Sequence, residues 1–211
     1  MSQQSSVSLG NSFKQNITCS RFQTEQISSC ISIATFSEFK KYVQGSQGVL
    51  VFCPFTISNI ALQSVDIVNS VKLICLVNTG CQIIGGERHL RVIGPSAHLM
   101  IQGFVFKRAS VTAVHILSNA PRLQCFIQCG FLRNRGEGRG VSLLADRNTM
   151  TAVKSCHFKQ NGSNDIGGSL FNRGKMLVED TSFIENLGIV STVRTLATSI
   201  LFFSFNLTFC L

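Results

Sequence analysis

Apolar and polar positions recur through the middle of the chain with a period of about 25 residues, which is within the range typical of repeat proteins. Four segments align on a phenylalanine, and the aligned phenylalanines follow one another at this period: Phe106, Phe131, Phe158 and Phe183. Each lies in a short run of alternating apolar residues that has no helical period, which predicts a β-strand. A repeating unit of this length with two or three such strands predicts one coil of a solenoid.

Other columns of residues keep the same period. An asparagine column stands three residues after the last three phenylalanines: Asn134, Asn161 and Asn186. Cys129 and Cys156 stand two residues before Phe131 and Phe158. Parallel pairing of equivalent strands, about 4.8 Å apart, stacks like residues on like residues. We therefore expect one buried stack of phenylalanines, and asparagines at a corner where they tolerate positive φ and hydrogen-bond along the column.

The repeat resembles that of the right-handed parallel β-helix proteins of the pectin-lyase-like family, in the form with inward Cys and Phe and corner Asn. The segment FSEFKKYVQGSQGVLVFCPFTIS is similar to the start of that fold, where a capping helix leads to the first strand, and Ile83–Gly86 is similar to its turn. The resemblance covers about residues 36–190. It implies an all-β, right-handed parallel β-helix solenoid with coils of about 25–27 residues. It leaves the activity open, because this fold carries lyases, hydrolases and adhesins.

Three regions are predicted along the chain. Residues 1–35 form an N-terminal extension or linker, residues 36–190 form the β-helix, and residues 191–211 form a hydrophobic tail. The β-helix begins with a capping helix over residues 36–44, for which Ser37 is the candidate N-cap. The tail contains an apolar run shorter than the roughly 20 residues of a membrane span. It is a buried last coil, an anchor of the GPI type, or a premature end of the sequence, and we favour the last because the repeat stops without a polar cap.

The positive charge is concentrated in the repeat region. The chain carries +9, and the stretch from Arg88 to Lys175 contains thirteen Lys or Arg residues against three acids. Two groups of cations follow the coil period. The members of the first group are spaced by close to one coil period, which predicts that they stack at one corner of the solenoid. They are Arg122, Arg147 and Arg173. The second comes directly after the repeat phenylalanines and consists of Lys107, Arg108, Arg133 and Lys159.

The two basic groups are interpreted as candidate polyanion-binding sites. Like charges about 5 Å apart repel by roughly 1 kcal/mol near a surface, and a polyanion that bridges them relieves the repulsion. The alternative is a solvated face on which the long side chains splay into water. The expected partner is an acidic or sulfated polysaccharide, or another protein. Nucleic acid is not favoured, and contact with a membrane is expected only through the C-terminal tail.

Groups suited to catalysis or to metal binding are sparse. The family resemblance implies that a polysaccharide-cleaving enzyme would use clustered carboxylates, but the chain has ten acids and one adjacent pair, Glu179 and Asp180. Asp146 and Asp165 are 19 residues apart and fall at different points of their coils. The four histidines are scattered, so neither a metal nor a cofactor is predicted. The sequence favours a non-catalytic protein with a structural or surface-binding role; the alternative is a pectin-lyase-like polysaccharide lyase or glycoside hydrolase.

The cysteines and the glycosylation motifs bear on the compartment. The chain has nine cysteines, and sequons begin at Asn16, Asn161 and Asn206. These features favour an extracellular or cell-surface location, although residues 1–30 show no signal peptide. In an exported protein, Cys75 and Cys81 are the best candidates for a local disulfide, because they flank a turn. Cys129 and Cys156 are expected to fill the core as small apolar residues.

Overall fold

The chain forms a parallel β-solenoid that a short helix, α1 (Phe36–Val43), precedes. The computed structural model describes residues 19, 29–60, 63–164, 168–188, 193–195 and 200–208, with the backbone alone from residue 188 onward. The strands that these residues form are, in chain order, β1 (Gly48–Phe52), β2 (Phe55–Ser58), β3 (Val65–Ile67), β4 (Ser70–Cys75), β5 (Cys81–Ile84), β6 (Leu90–Val92), β7 (His98–Gln102), β8 (Phe104–Lys107), β9 (Val114–Ile116), β10 (Leu123–Ile127), β11 (Gly130–Leu132), β12 (Arg135–Gly136), β13 (Leu143–Ala145), β14 (Met150–Lys154), β15 (His157–Lys159), β16 (Gly162–Ser163), β17 (Leu170–Asn172), β18 (Lys175–Ile184), β19 (Leu187–Gly188), β20 (Val193–Thr195) and β21 (Ile200–Thr208).

Equivalent strands of successive coils stack into parallel ladders. Ladder 1 contains β1, β4, β7, β10, β14 and the first half of β18. Ladder 2 contains β2, β5, β8, β11, β15 and the second half of β18. Ladder 3 contains β3, β6, β9, β13, β17 and β20, and the short ladder 4 contains β12, β16 and β19. The predicted all-β solenoid with a preceding helix is thereby confirmed, whereas its right hand stays a prediction that agrees with the usual hand of parallel crossovers.

From the third coil onward, two bends in each described coil use a residue in the left-handed region of φ. The bend between ladders 1 and 2 is made by residues with φ between 46° and 76°: Gly103, Gln128, Ser155 and Asp180. The bend after ladder 2 is made by residues with φ between 53° and 79°: Gly85, Arg108, Arg133, Gln160 and Glu185. Such a φ costs a non-glycine residue about 1 kcal/mol or more, so the stacked neighbours must hold it in place. The second bend therefore sets four long polar side chains in one column.

The phenylalanines form the centre of the core. Strand register pairs Phe106 with Phe131, Phe131 with Phe158, and Phe158 with Phe183. Their ring centroids are 5.3, 4.6 and 4.8 Å apart in that order, and the last two pairs are nearly parallel. All four side chains are buried. The parallel ladder thus places each ring over its equivalent one coil away.

The asparagine column lies one residue after the second bend. Asn161 Oδ1 accepts hydrogen bonds from the backbone nitrogen and from Nδ2 of Asn134, both at 3.0 Å. Asn161 Nδ2 donates to Phe131 O at 2.8 Å and to Asn186 Oδ1 at 2.9 Å. The expectation of positive φ at these asparagines is wrong, because the preceding residue of each coil takes that conformation. Each asparagine instead contributes an inward side chain that hydrogen-bonds along the column. At Asn161, the first residue of a sequon, these bonds engage the side-chain nitrogen to which a glycan would be attached.

Helix α1 closes the N-terminal end of the core. Its N-cap is Thr35 and not Ser37, because Thr35 Oγ1 accepts from Glu38 N at 3.2 Å while the Glu38 carboxylate accepts from Thr35 N at 3.1 Å. The ring of Phe39 is fully buried and packs against three phenylalanines of the first coils, with centroid distances of 5.6 to 6.2 Å: Phe52, Phe55 and Phe104. This apolar face covers the open end of the solenoid.

The two ends of the chain are described in part. Within the predicted extension 1–35, the structure describes residue 19 and residues 29–35; within the predicted tail 191–211, it describes residues 193–195 and 200–208. The backbone of β20 pairs with β17, and that of β21 pairs with β18, so parallel pairing extends past residue 190. The proposed boundaries otherwise stay predictions. Among the described residues, no helix has the length and the apolar character needed to span a membrane.

A candidate anion-binding site

One outward face of ladder 2, with the bend that follows it, forms a basic concavity of about 400 Å³. Strand register places Lys107, Leu132 and Lys159 in one column, and Arg108 and Arg133 are the bend residues that follow the first two. Ile84 and Gln160 complete the lining. The second basic group of the sequence, Lys107, Arg108, Arg133 and Lys159, is therefore brought together, and we call it the basic site.

The cations of the basic site have no carboxylate in the lining of the concavity. Lys107 Nζ donates to Gln82 Oε1 at 2.8 Å, and Arg133 Nε donates to Gln160 Oε1 at 2.8 Å, so both acceptors are neutral. Among the described residues, Arg108 and Lys159 have no side-chain hydrogen bond or ion pair. By contrast, Arg91 on ladder 3 is paired with Asp66 at 2.8 Å. No acidic side chain in the lining of the concavity therefore neutralises the positive charge of the basic site.

The concavity continues around the corner of the solenoid. A second concave surface of about 660 Å³ shares Arg108, Arg133 and Gln160 with the first, and also contains Glu185. A third, of about 630 Å³, continues from it past Gly136. A Cβ at Gly136 would lie 2.6 Å from the carbonyl oxygen of Ser110, so only glycine fits at this position of the lining. The basic site therefore opens into a longer groove, whose edge includes Leu187 with 61% of its surface exposed.

The first basic group does not form a stack. Arg122, Arg147 and Arg173 all lie between ladders 3 and 1, but the turns there differ in length because β9–β10, β13–β14 and β17–β18 are joined by different numbers of residues. Leu123 pairs with Met150, so Arg122 is level with Thr149 and not with Arg147. The nearly periodic spacing of these arginines in sequence is therefore not the register of the ladder, and the predicted column is corrected accordingly. Polyanion binding by these three arginines stays a prediction and an alternative to binding at the basic site.

The residues considered for catalysis take up structural partnerships. Asp146 Oδ2 lies 3.1 Å from His115 Nε2, and Glu179 pairs with Lys154 at 3.6 Å across ladder 1. Asp180 makes the bend between ladders 1 and 2, and Asp165 lies outside the described residues. Within the part of the chain that the structure describes, no group of three or more His, Cys, Asp or Glu residues is placed to hold a metal ion.

Among the cysteines that the structure describes, six form three disulfides. Cys75 and Cys81 are joined, as are two pairs that sequence reasoning missed: Cys19 with Cys125, and Cys30 with Cys53. Cys129 and Cys156 are free and buried in one column, where the backbone nitrogen of Cys129 donates to Cys156 Sγ at 3.4 Å. Burial raises the pKa of the Cys156 thiol well above its ordinary value. The Cys156 thiol therefore stays protonated, and both side chains fill the core.

His89 is a neutral histidine in the core beside the second bend. Its ring is fully buried, stacks on Phe106 at 5.7 Å, and places Nε2 2.7 Å from the carbonyl oxygen of Gly85. A carbonyl only accepts, so Nε2 bears the proton and donates it. Burial lowers the pKa of His89 from 6.5 to about 4.

This burial predicts a loss of stability in acid. The unfolded state binds the His89 proton near pH 6.5 and the folded state only near pH 4. The free energy of unfolding should therefore fall as the pH drops through this window, by about 3 kcal/mol in total. Urea denaturation at pH 7 and pH 4.5 measures most of this change. His89→Phe should remove most of it, whereas His157→Phe, at an exposed position, should leave it; equal pH dependence in both variants would contradict the assignment.

Comparison of the chain with models of protein families, with curated proteins and with solved structures finds no match in any of the three. Its strand pairing alone defines it as a parallel β-solenoid repeat protein. A relationship to the pectin-lyase-like family stays a prediction from the sequence.

Proposed function

We propose that this protein is a non-catalytic β-solenoid that binds an acidic polysaccharide, uronic or sulfated, through the basic site. The observation that carries the proposal is the convergence of four cations in one concavity whose lining has no carboxylate. Two of the four, Lys107 and Arg133, are held by neutral amide oxygens, which fix the side chains without neutralising them. An anionic ligand supplies the missing negative charge.

The rigidity of the solenoid favours a linear polyanion. The cations come from three successive coils, which are spaced by about 4.8 Å, so the positive charges recur along the axis. Because the strands fix their backbone positions, little ordering of the protein is needed when the ligand binds. The groove that continues from the basic site past Gly136 gives a polymer room to extend.

We further propose that the protein works outside the cell or at the cell surface. Three disulfides in the described part of the chain support an oxidising compartment, because disulfides are rare in reducing ones. Acidic and sulfated polysaccharides are available there as partners. Another protein with an acidic surface is the alternative occupant of the same site.

Retention on an immobilised sulfated polysaccharide tests the proposal. We expect wild-type protein to be retained at low salt and released as salt rises, because the Debye length falls from about 10 Å at 0.1 M to about 3 Å at 1 M. The double variant Arg108→Gln/Arg133→Gln should elute at much lower salt. Gln suits these positions, because Gln160 occupies the same column with φ of 56°.

The matched control is Arg122→Gln/Arg147→Gln, which removes the same charge from exposed arginines of another corner. It should elute close to the wild type. Equal losses in the two double variants would show that net charge, and not the basic site, causes retention. Release of cleaved products from a uronic polysaccharide would instead overturn the non-catalytic part of the proposal and favour the lyase or hydrolase alternative.

A further inference from the structure

Three polar residues at the edge of the basic site are linked across successive coils. Arg133, Gln160 and Glu185 all occupy the bend after ladder 2, with φ of 55°, 56° and 53°. Arg133 Nε donates to Gln160 Oε1 at 2.8 Å, and Gln160 Nε2 donates to Glu185 Oε2 at 2.7 Å. The three side chains thus form a continuous hydrogen-bonded relay along the column.

The chemistry of its two ends fixes the direction of this relay. An ionised carboxylate only accepts hydrogen bonds, and a guanidinium only donates them. The Gln160 amide therefore satisfies both neighbours in one orientation only, with its nitrogen towards Glu185 and its oxygen towards Arg133. If the amide were reversed, its nitrogen would face the Arg133 donor and its oxygen would face the Glu185 carboxylate, so neither hydrogen bond could form. Glu185 consequently determines which atom Gln160 presents to Arg133.

The relay leaves most of the Arg133 guanidinium available. It uses Nε, whereas four of the five donor hydrogens of an arginine lie on the two terminal nitrogens. Those nitrogens make no other hydrogen bond among the described residues. Arg108, one coil earlier in the same column, has no comparable link. Of the two arginines of the basic site, Arg133 is therefore the one whose orientation is fixed in advance.

We infer that Glu185 and Gln160 are positioning residues that hold Arg133 ready for an anionic group of the ligand. This inference rests on the proposed function. In this inference Glu185 favours the binding of a polyanion by positioning Arg133. Its negative charge alone would weaken that binding by repulsion. Fixing a flexible arginine before binding removes an ordering cost that the complex would otherwise carry.

Two substitutions separate the relay from simple charge. Gln160→Met leaves the net charge unchanged but breaks both hydrogen bonds, and Glu185→Leu removes the acceptor together with a negative charge. If only charge matters, the first variant binds like the wild type and the second binds more tightly. The relay predicts weaker binding in both, by about three- to tenfold in Kd, because one rotamer-rich side chain must be ordered on binding.

The measurement is the Kd for a short heparin oligosaccharide as probe, with melting temperatures to show that each variant is folded. Glu137→Leu is the charge-matched control, because Glu137 is exposed in the adjoining groove outside the relay, and it should bind as well as the wild type or better. If the wild type binds and Glu185→Leu binds equally well or more tightly, the relay is overturned and the proposed function stands. Absence of wild-type binding would overturn both.

Discussion

Removal of the Cys19–Cys125 disulfide, by replacing both cysteines with alanine, should lower the free energy of unfolding by about 4 to 5 kcal/mol. The two cysteines are 106 residues apart in sequence, so the bond constrains a long loop in the unfolded chain. Removal of Cys75–Cys81, whose separation is 6 residues, should lower the free energy of unfolding by only about 2 kcal/mol. Urea denaturation of the two double variants under non-reducing conditions measures both losses.

The packing around Cys19 adds a second readout to this prediction. Cys19 packs against an apolar surface on the outward side of ladder 1, which includes Ile74, Met100 and Ile127, all buried. Without the disulfide, we expect this surface to bind a dye that reports exposed apolar area, and the Cys75–Cys81 variant should not bind it. Equal losses of stability in the two variants, with no added dye binding, would show that the long-range disulfide does not hold this surface covered.

Replacing Asn161 with alanine should lower the free energy of unfolding by about 3 kcal/mol or more, because it removes four side-chain hydrogen bonds of the buried column and leaves one buried backbone nitrogen without its acceptor. The buried backbone nitrogen of Asn134 loses its acceptor, Asn161 Oδ1. Asn134 Nδ2 keeps Phe106 O and Ser142 Oγ as acceptors, and Asn186 Oδ1 keeps the backbone nitrogen of Asn161 as a donor, but each loses one hydrogen bond. Each buried polar group left without a partner costs about 1 to 3 kcal/mol. Thermal or urea denaturation measures the loss at neutral pH, where His89 is neutral in the folded and the unfolded state.

Asn164→Ala is the matched control for this substitution. Asn164 lies three residues further along the same coil but is exposed, so the loss should stay within about 0.5 kcal/mol. If the two variants were equally stable, the asparagine column would be a solvated turn and would not connect the coils.

The exported protein should also carry no glycan at Asn161, because its amide nitrogen is already engaged inside the column.

The solenoid could be predicted from the sequence because a parallel ladder places like residues over like residues. The residues that the sequence aligns are the ones that pair in ladder 2: Phe106, Phe131, Phe158 and Phe183. The alignment holds because the bends on either side of ladder 2 have the same length at each of these phenylalanines. The same constancy brings Lys107, Arg108, Arg133 and Lys159 together. Residues that are close to the repeat phenylalanine in sequence therefore keep their places from coil to coil.

Positions far from the phenylalanine are separated from it by turns of variable length, and there the sequence misleads. Arg122 and Arg147 are separated in sequence by close to one coil period, yet register sets Arg122 level with Thr149. A period in the sequence becomes a column in space only where no insertion intervenes. The second bend shows the opposite case, because Gln160 and Glu185 belong to the column of Arg133 although their residue types gave no signal.

The long-range disulfides could not be predicted for a different reason. Cys125 lies on the outward side of β10, where alternation alone predicts exposure, yet only 3% of its surface is exposed. A strand buried on both faces has a nearly continuous apolar sequence, as LQCFI has, but such a run does not identify what covers its outer side. The pairing of Cys19 with Cys125 depends on that covering contact, for which a single sequence has no periodic signal.

The salt dependence of polysaccharide binding tests the central claim most directly. The Kd for a sulfated polysaccharide is measured over a range of salt concentrations for the wild type, for Arg108→Gln/Arg133→Gln and for Arg122→Gln/Arg147→Gln. We expect the logarithm of the affinity to fall linearly with the logarithm of the salt concentration, with a slope that is smaller by roughly one to two for the first double variant. The second double variant should keep the wild-type slope. No binding by the wild type at low salt, or the same slope in all three proteins, would contradict an anion-binding function for the basic site.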